Sequence, residues 1–184
     1  MSEINIDPVK KQITGWVNNQ RFVNNASTFR NYFVIQFDQP FTEYGIWENQ
    51  KDQIFEKQKT GNGKGYGAFV KFKNGAKVQA KAASSYISYE QAHITLNREL
   101  GKDKTLEVTK KRGADTWNAL LNRVLVEGGT DEQTRTFYSC LYRANLFSRK
   151  FYELNAANQP YYYSPYNGKI YNGYMYTDNG FWDT

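Results

Sequence analysis

At 184 residues the chain is long enough to bury a real core, within one domain or parts of two. Its net charge of +6 is scattered. The densest basic run, Lys110, Lys111 and Arg112, has no interleaved aromatics, so no nucleic-acid partner is expected. No stretch approaches the roughly 18 to 20 apolar residues of a membrane helix, so no membrane span is expected, although aromatics make up 17% of the chain.

The opening MSEINIDPVKKQITGW lacks the apolar centre of an export signal. From there to about residue 100 the sequence reads mainly as strands. In NYFVIQFDQPF, Phe33, Ile35 and Phe37 alternate with Val34 and Gln36, and Pro40 ends the run. In GAFVKFKNGAKVQAK, Val70 and Phe72 share one face and Lys71 and Lys73 the other. Asn74-Gly75 then predicts a tight hairpin turn, with Lys77 to Ala80 as the returning strand. The glycines of EKQKTGNGKGYG, between these strands, fit neither a phosphate loop nor a dinucleotide fingerprint. A flexible loop is expected there.

After Ser88 the period changes. Tyr89, Ala92 and Leu96 fall on one helical stripe, and Gly101 is a plausible stop. His93 is the only histidine, which excludes histidine-based triads and multi-histidine metal sites and points to a surface or capping role. Helical spacing resumes near Leu106 with Trp117, Leu120, Leu121 and Val124, and Gly128-Gly129 is expected to end that helix. Thr130 and the acidic residues after it open another helix, whose apolar stripe is Phe137, Cys140, Leu141 and Ala144. Cys140 is the only cysteine, so no internal disulfide or multi-cysteine metal site is available, and it is expected to pack as a small core residue. Strands followed by an antiparallel helix pair predict two segregated layers or the ends of two domains.

Beyond the helices lies YYYSPYNGKIYNGYMYTDNGFWDT, where periodicity is lost and turn dipeptides predict an aromatic loop or short hairpins. One reading is a cap of rings over a helical bundle. Another is a sugar-binding wall, because pyranose faces stack on aromatics while their hydroxyls need carboxylates and amides. Ending on GFWDT rather than a polar tail, the chain is expected to be a piece of a longer protein.

Four segments taken in order, GWVNNQRFVNNASTFRNYFVIQFDQPF, SYISYEQAHITLNREL, TWNALLNRVLVEGGTDEQTRTFYSCLYRANLF and YYYSPYNGKIYNGYMYTDNGFWDT, resemble glycoside hydrolase family 92. The resemblance implies a calcium-dependent, exo-acting bacterial α-mannosidase that inverts configuration and is exported to the periplasm or outer surface. It implies the later part of an N-terminal β-sandwich with a connecting helix over residues 1–104. Residues 105–184 would then be the first helices of an (α/α)6 toroid. By the same resemblance the WDT motif lines the pocket for the terminal mannose, so Trp182 and Asp183 are the expected substrate contacts. Capping of a following helix is the bland alternative for Asp183. The general acid and base lie in family motifs that this sequence does not contain, so the piece is expected to be inactive without the remainder of its own chain, and no calcium ligand is assigned in it. Asn167 departs from the family, where an aspartate precedes the glycine of the SPY-x-GK stretch; the turn is expected to survive and any charge role to weaken. The competing functions are a non-catalytic module that binds mannose-terminated glycans, and a structural domain without a ligand.

Overall fold

A computed structural model describes residues 1–19, 28–49, 53–101, 104–146 and 148–177. The chain opens with a meander in which β1 (Ser2–Asp7), β2 (Gln12–Asn18) and β3 (Arg30–Phe37) pair antiparallel in sequence order. Then follow β4 (Glu43–Glu48), β5 (Gln53–Glu56), β6 (Thr60–Gly63), β7 (Tyr66–Lys71) and β8 (Ala80–Ser85). These strands make a five-stranded sheet in the order β6-β1-β2-β3-β8 and a three-stranded sheet in the order β5-β4-β7. Between them Ile4, Ile6, Ile13 and Ile46 are buried, with Phe33, Phe37, Tyr44 and Val70 packed against that cluster.

β3 explains why its segment is apolar at successive positions. Phe33 and Phe37 face the inter-sheet core, whereas Val34, 1% exposed, faces outward against a helix, α1 (Tyr89–Leu100), with Ala92 and Leu96. A strand covered on both faces reads as a continuous apolar run rather than a clean alternation. α1 begins as expected, with the Ser88 hydroxyl accepting from Gln91 N at 3.2 Å, and it stops at Gly101. His93 is half-buried on this helix.

Two local expectations give way to non-local pairing. The segments on either side of Asn74-Gly75 do not form a hairpin, because β7 pairs with β4 and β8 pairs with β3. The turn itself forms, with Gly75 at φ 75° and Ala76 N donating to Lys73 O at 3.0 Å, but it carries the chain from one sheet to the other. Asp38 seizes the returning segment: its carboxylate accepts from Gln79 N at 2.9 Å and its own N–H donates to Gln79 O at 3.1 Å. Within EKQKTGNGKGYG, Thr60–Gly63 is an edge strand on β1 rather than a flexible loop. Its glycines serve close packing. A Cβ on Gly61 would lie 2.7 Å from the Tyr66 ring and 2.9 Å from Ile46, and one on Gly67 only 2.1 Å from the Trp47 indole.

Beyond α1, α2 (Leu106–Leu121) and α3 (Asp131–Ala144) form the helix pair. α2 ends before the expected Gly128-Gly129 stop, because Arg123 N and Val124 N bond back to Leu120 O and Leu121 O in a tightened last turn. α3 carries a full capping box, with Thr130 and Gln133 each bonded to the other's backbone N–H. The helices touch through Trp117 and Tyr142, whose ring centroids lie 4.4 Å apart, and through the Tyr138 hydroxyl on Val124 O. Neither contains a buried residue, and Cys140 is exposed rather than core-packed.

The aromatic segment forms short hairpins. β10 (Glu153–Leu154), β11 (Pro160–Tyr163) and β12 (Ile170–Asn172) make a three-stranded antiparallel sheet, and β9 (Arg149–Lys150) pairs with β13 (Tyr176–Thr177). In the β11–β12 turn the left-handed residue is Gly168, φ 73°, not Asn167. Asn167 instead accepts from Lys169 N at 3.1 Å and donates its amide to the Tyr171 hydroxyl at 2.8 Å.

Candidate functional site

Trp182 and Asp183, the substrate contacts expected from the sequence, lie outside the described residues. What the structure shows in detail is the seam between α1 and the aromatic hairpins.

Along α1 two stripes run side by side. Ala92 and Leu96 face the sheet, while Gln91 and Arg98, at positions i and i+7, face the small sheet of β10 and β11, and between them Thr95 Oγ1 accepts from Gln91 Nε2 at 3.3 Å. Gln91 is 1% exposed, and its amide is used at both ends. Its Nε2 donates to Leu154 O at 2.8 Å, and its Oε1 accepts from the Tyr161 hydroxyl at 2.7 Å. Arg98 spreads its guanidinium over consecutive carbonyls, Nη1 on Leu154 O at 2.7 Å and Nη2 on Asn155 O at 2.6 Å. One residue earlier, Glu153 Oε1 accepts from Tyr86 N at 2.8 Å, while its Oε2 is buried without a hydrogen-bond partner. Burial pushes the Glu153 carboxyl above its ordinary range, against the bonds from Ser85 and Tyr86 that hold it down. The Tyr161 hydroxyl is likewise raised, first by burial and then by the Glu153 charge, with Arg98 opposing.

Rings close the other end of this seam. Tyr86 stacks on Phe151 at 4.8 Å, and Phe29 stacks on Tyr163 at 5.7 Å, whose hydroxyl lies 2.7 Å from Thr28 Oγ1. β11 alternates accordingly: Tyr161 and Tyr163 turn toward the sandwich and α1, while Tyr162 stacks on Tyr171 on the opposite face. Tyr166, Tyr174 and Tyr176 stand exposed. The tyrosine-rich segment therefore divides between rings that bind it to the sandwich and rings available to other surfaces.

A second polar cluster lies on the outer face of the five-stranded sheet. The Arg30 guanidinium stacks 3.8 Å over the Trp16 ring, and Trp16 Nε1 donates to Glu3 Oε2 at 3.2 Å. The Tyr89 hydroxyl donates to the other Glu3 oxygen at 2.9 Å, and burial followed by this bond raises that hydroxyl far above the tyrosine range. These groups satisfy one another and pin the start of α1 to β1. At the far end of α1 a groove of about 440 Å³ is lined partly by Lys81 and Lys104, but both ammonium groups are spent on helix carbonyls, Gly101 O at 2.8 Å and Arg98 O at 2.6 Å.

The sequence reading passed over Gln91, Arg98 and Glu153, and it took Tyr161 as one ring of an aromatic cap or sugar-binding wall, whereas its hydroxyl is bonded to Gln91. A signal existed only for the first two, a polar stripe at helical spacing beside the apolar one.

Comparison with known proteins gives two family matches: residues 1–85 to the Glycosyl hydrolase family 92 N-terminal domain, and residues 91–184 to the Glycosyl hydrolase family 92 catalytic domain. No curated protein matches the chain. Among solved structures, the family GH92 inverting mannosidase from Bacteroides thetaiotaomicron VPI-5482 is 43% identical with a TM-score of 0.92, over 99% of this chain and 24% of that one. A gh92 family glycosyl hydrolase matches at 24% identity and TM-score 0.75, over 95% of this chain and 23% of its own. A family GH92 α-mannosidase from Bacteroides thetaiotaomicron matches at 19% identity and TM-score 0.78, over 96% of this chain and 24% of its own. The latter two speak for the fold alone. The chain spans about a quarter of the length of the solved structures it matches.

Proposed function

Because the chain belongs to glycosyl hydrolase family 92, we propose that it forms part of an exo-acting α-mannosidase that removes terminal mannose from glycans with inversion of configuration. The observation that carries this reading is the 43% identity, over 99% of the chain, to an inverting mannosidase. The fold agrees: a sheet sandwich is followed by helices in the order that joins an N-terminal sandwich to the start of a helical toroid. We place the unit boundary after residue 104, since α1 packs on β3, although the catalytic-domain match begins earlier, at residue 91.

In this reading Asp183 accepts hydrogen bonds from two adjacent hydroxyls of the terminal mannose, and Trp182 packs beside the ring or orients the carboxylate. An inverting glycosidase protonates the leaving oxygen with one carboxylic acid and activates water with a second carboxylate. The family resemblance puts those groups in motifs outside this sequence, so the chain alone is inactive and supplies substrate-pocket wall. Calcium, also implied by that resemblance, finds no group of three histidine, cysteine or acidic ligands among the described residues. No calcium ligand is assigned in this chain, and no chemical step is derived through the metal. An α-1,2-linked substrate and an exported location in the periplasm or on the outer surface complete the reading.

The test is the full-length protein with an α-mannoside, followed by NMR of the first-formed sugar. Release of β-mannose is the expected result; retained α-configuration, or glycan binding without release, overturns the reading in favour of a different mechanism or a binding module. In the same protein Asp183→Ala is expected to lower kcat/KM by two or more orders of magnitude, on the order of 3 kcal/mol, with folding nearly unchanged. A destabilised but fully active variant would reduce the motif to a helix cap.

A further inference from the structure

We propose that the outer face of the three-stranded sheet, built on Trp47 and Phe69, is a glycan-binding surface that takes a neutral, mannose-containing polysaccharide; only the identity of the sugar rests on the proposed function. Along β4 the side chains alternate. Tyr44 and Ile46 enter the core, so Glu43, Gly45 and Trp47 lie on the opposite face. The register sets Trp47 between Gly67 of β7 and Ile54 of β5, and Gly45 between Phe69 and Glu56. Each of these two glycines has an aromatic ring lying over it. A Cβ on Gly67 would run into the Trp47 indole, and one on Gly45 would lie 2.7 Å from Phe69 Cε1 and Cζ. The rings therefore lean across the neighbouring strand and form a platform instead of standing out from the sheet. Trp47 remains 41% exposed and Ile54 69%. Beside Phe69 the face dips into a groove of about 530 Å³ walled by Glu43, Glu56 and Lys57. The Glu43 carboxylate is held there by Lys71, whose Nζ donates to Oε2 at 2.6 Å.

Chemistry, charge and position choose the occupant. Rings laid on a sheet offer their faces to the apolar faces of pyranoses, while the carboxylates and ammonium groups of the adjoining groove serve sugar hydroxyls. Glu43 and Glu56 balance Lys57 and Lys71, which suits a neutral sugar chain and gives an anionic polymer or a charged membrane no attraction. The face is also turned away from the helical side of the chain: α1 packs across the sandwich on Val34 and Ala83, and β10 is bonded to α1. A polysaccharide held on the platform keeps its chain ends at a raised local concentration around the enzyme.

The experiment is affinity gel electrophoresis of the full-length protein through an α-mannan polysaccharide, with kcat/KM measured on the mannan and on a small α-mannoside. Trp47→Ala is expected to weaken mannan affinity about tenfold, and to lower the ratio of kcat/KM on mannan to that on the small mannoside by a similar factor, with the thermal midpoint unchanged. Glu56→Ala alters an exposed side chain and is expected to weaken affinity in the same direction by a smaller factor. It decides the matter alone if Trp47→Ala fails to fold. Unchanged mannan affinity in both variants would overturn the proposal. So would a lowered midpoint with unchanged affinity, the outcome expected if another part of the protein or a second copy covers this face. Mannan binding that depends on Trp47 in a protein that cleaves no mannoside would withdraw the proposed function and leave the binding surface standing.

Discussion

α1 and the α2–α3 pair are built by the same local rules and held by different amounts of structure. Each begins with a Ser or Thr cap that accepts an early N–H, and each carries an apolar stripe. α1 buries Gln91, Ala92 and Leu96 between two sheets, whereas α2 and α3 bury nothing. Caps and periodicity thus decide that a helix forms, while the stability attached to it depends on what covers its faces.

The sharpest way to break this comparison is to truncate a stripe on each side. Leu96→Ala is expected to cost about 3 kcal/mol of unfolding free energy in denaturant titrations, because a residue 2% exposed loses its packing on Val34. Leu141→Ala, half-buried on α3, is expected to cost about 1 kcal/mol or less. Equal losses would mean that the two regions unfold as one body. Next in size, Gln91→Ala should cost about 2 kcal/mol, since it takes the acceptor from the Tyr161 hydroxyl and leaves Leu154 O with Arg98 alone.

The pH dependence sharpens the same contrast. Glu153 holds its proton more tightly folded than unfolded, so its contribution to stability is greatest at low pH. That contribution is lost as pH rises from about the ordinary value of 4.5 through the raised folded value. Glu153→Gln should flatten this part of the stability profile, and a profile unchanged by that substitution would remove the buried carboxyl from the account. The smallest effect is expected at Thr130→Ala, about 1 kcal/mol or less, read as helix content of α3 by circular dichroism rather than as loss of the sandwich.

How much was legible follows the same division. The β3 run and the Ala92–Leu96 stripe were readable because each repeats with its own period and is buried accordingly. The hairpin at Asn74-Gly75 was misread because a turn dipeptide reports only its own backbone, and the choice of β3 as partner for β8 was made by a distant strand and by Asp38. Cys140 was placed in a core because a stripe records an apolar face without naming what covers it. The polar stripe of Gln91, Thr95 and Arg98 was present in the sequence, but the partners of the Gln91 amide nitrogen and the Arg98 guanidinium across the seam are backbone carbonyls, which leave no mark in residue type. Trp182 and Asp183 came from family resemblance alone.

β3 is hydrogen-bonded on one side to β2 and on the other to β8, with an isoleucine-rich core beneath it and α1 above. Water can reach its amides only if a neighbouring strand is peeled away or the helix lifts. In deuterium exchange the amides around Val34 should therefore be the last to label, open only through global unfolding, while those of α2 and α3 exchange through local fraying. The interval between the two sets of rates would give, amide by amide, the free energy that separates the frame of the molecule from its periphery.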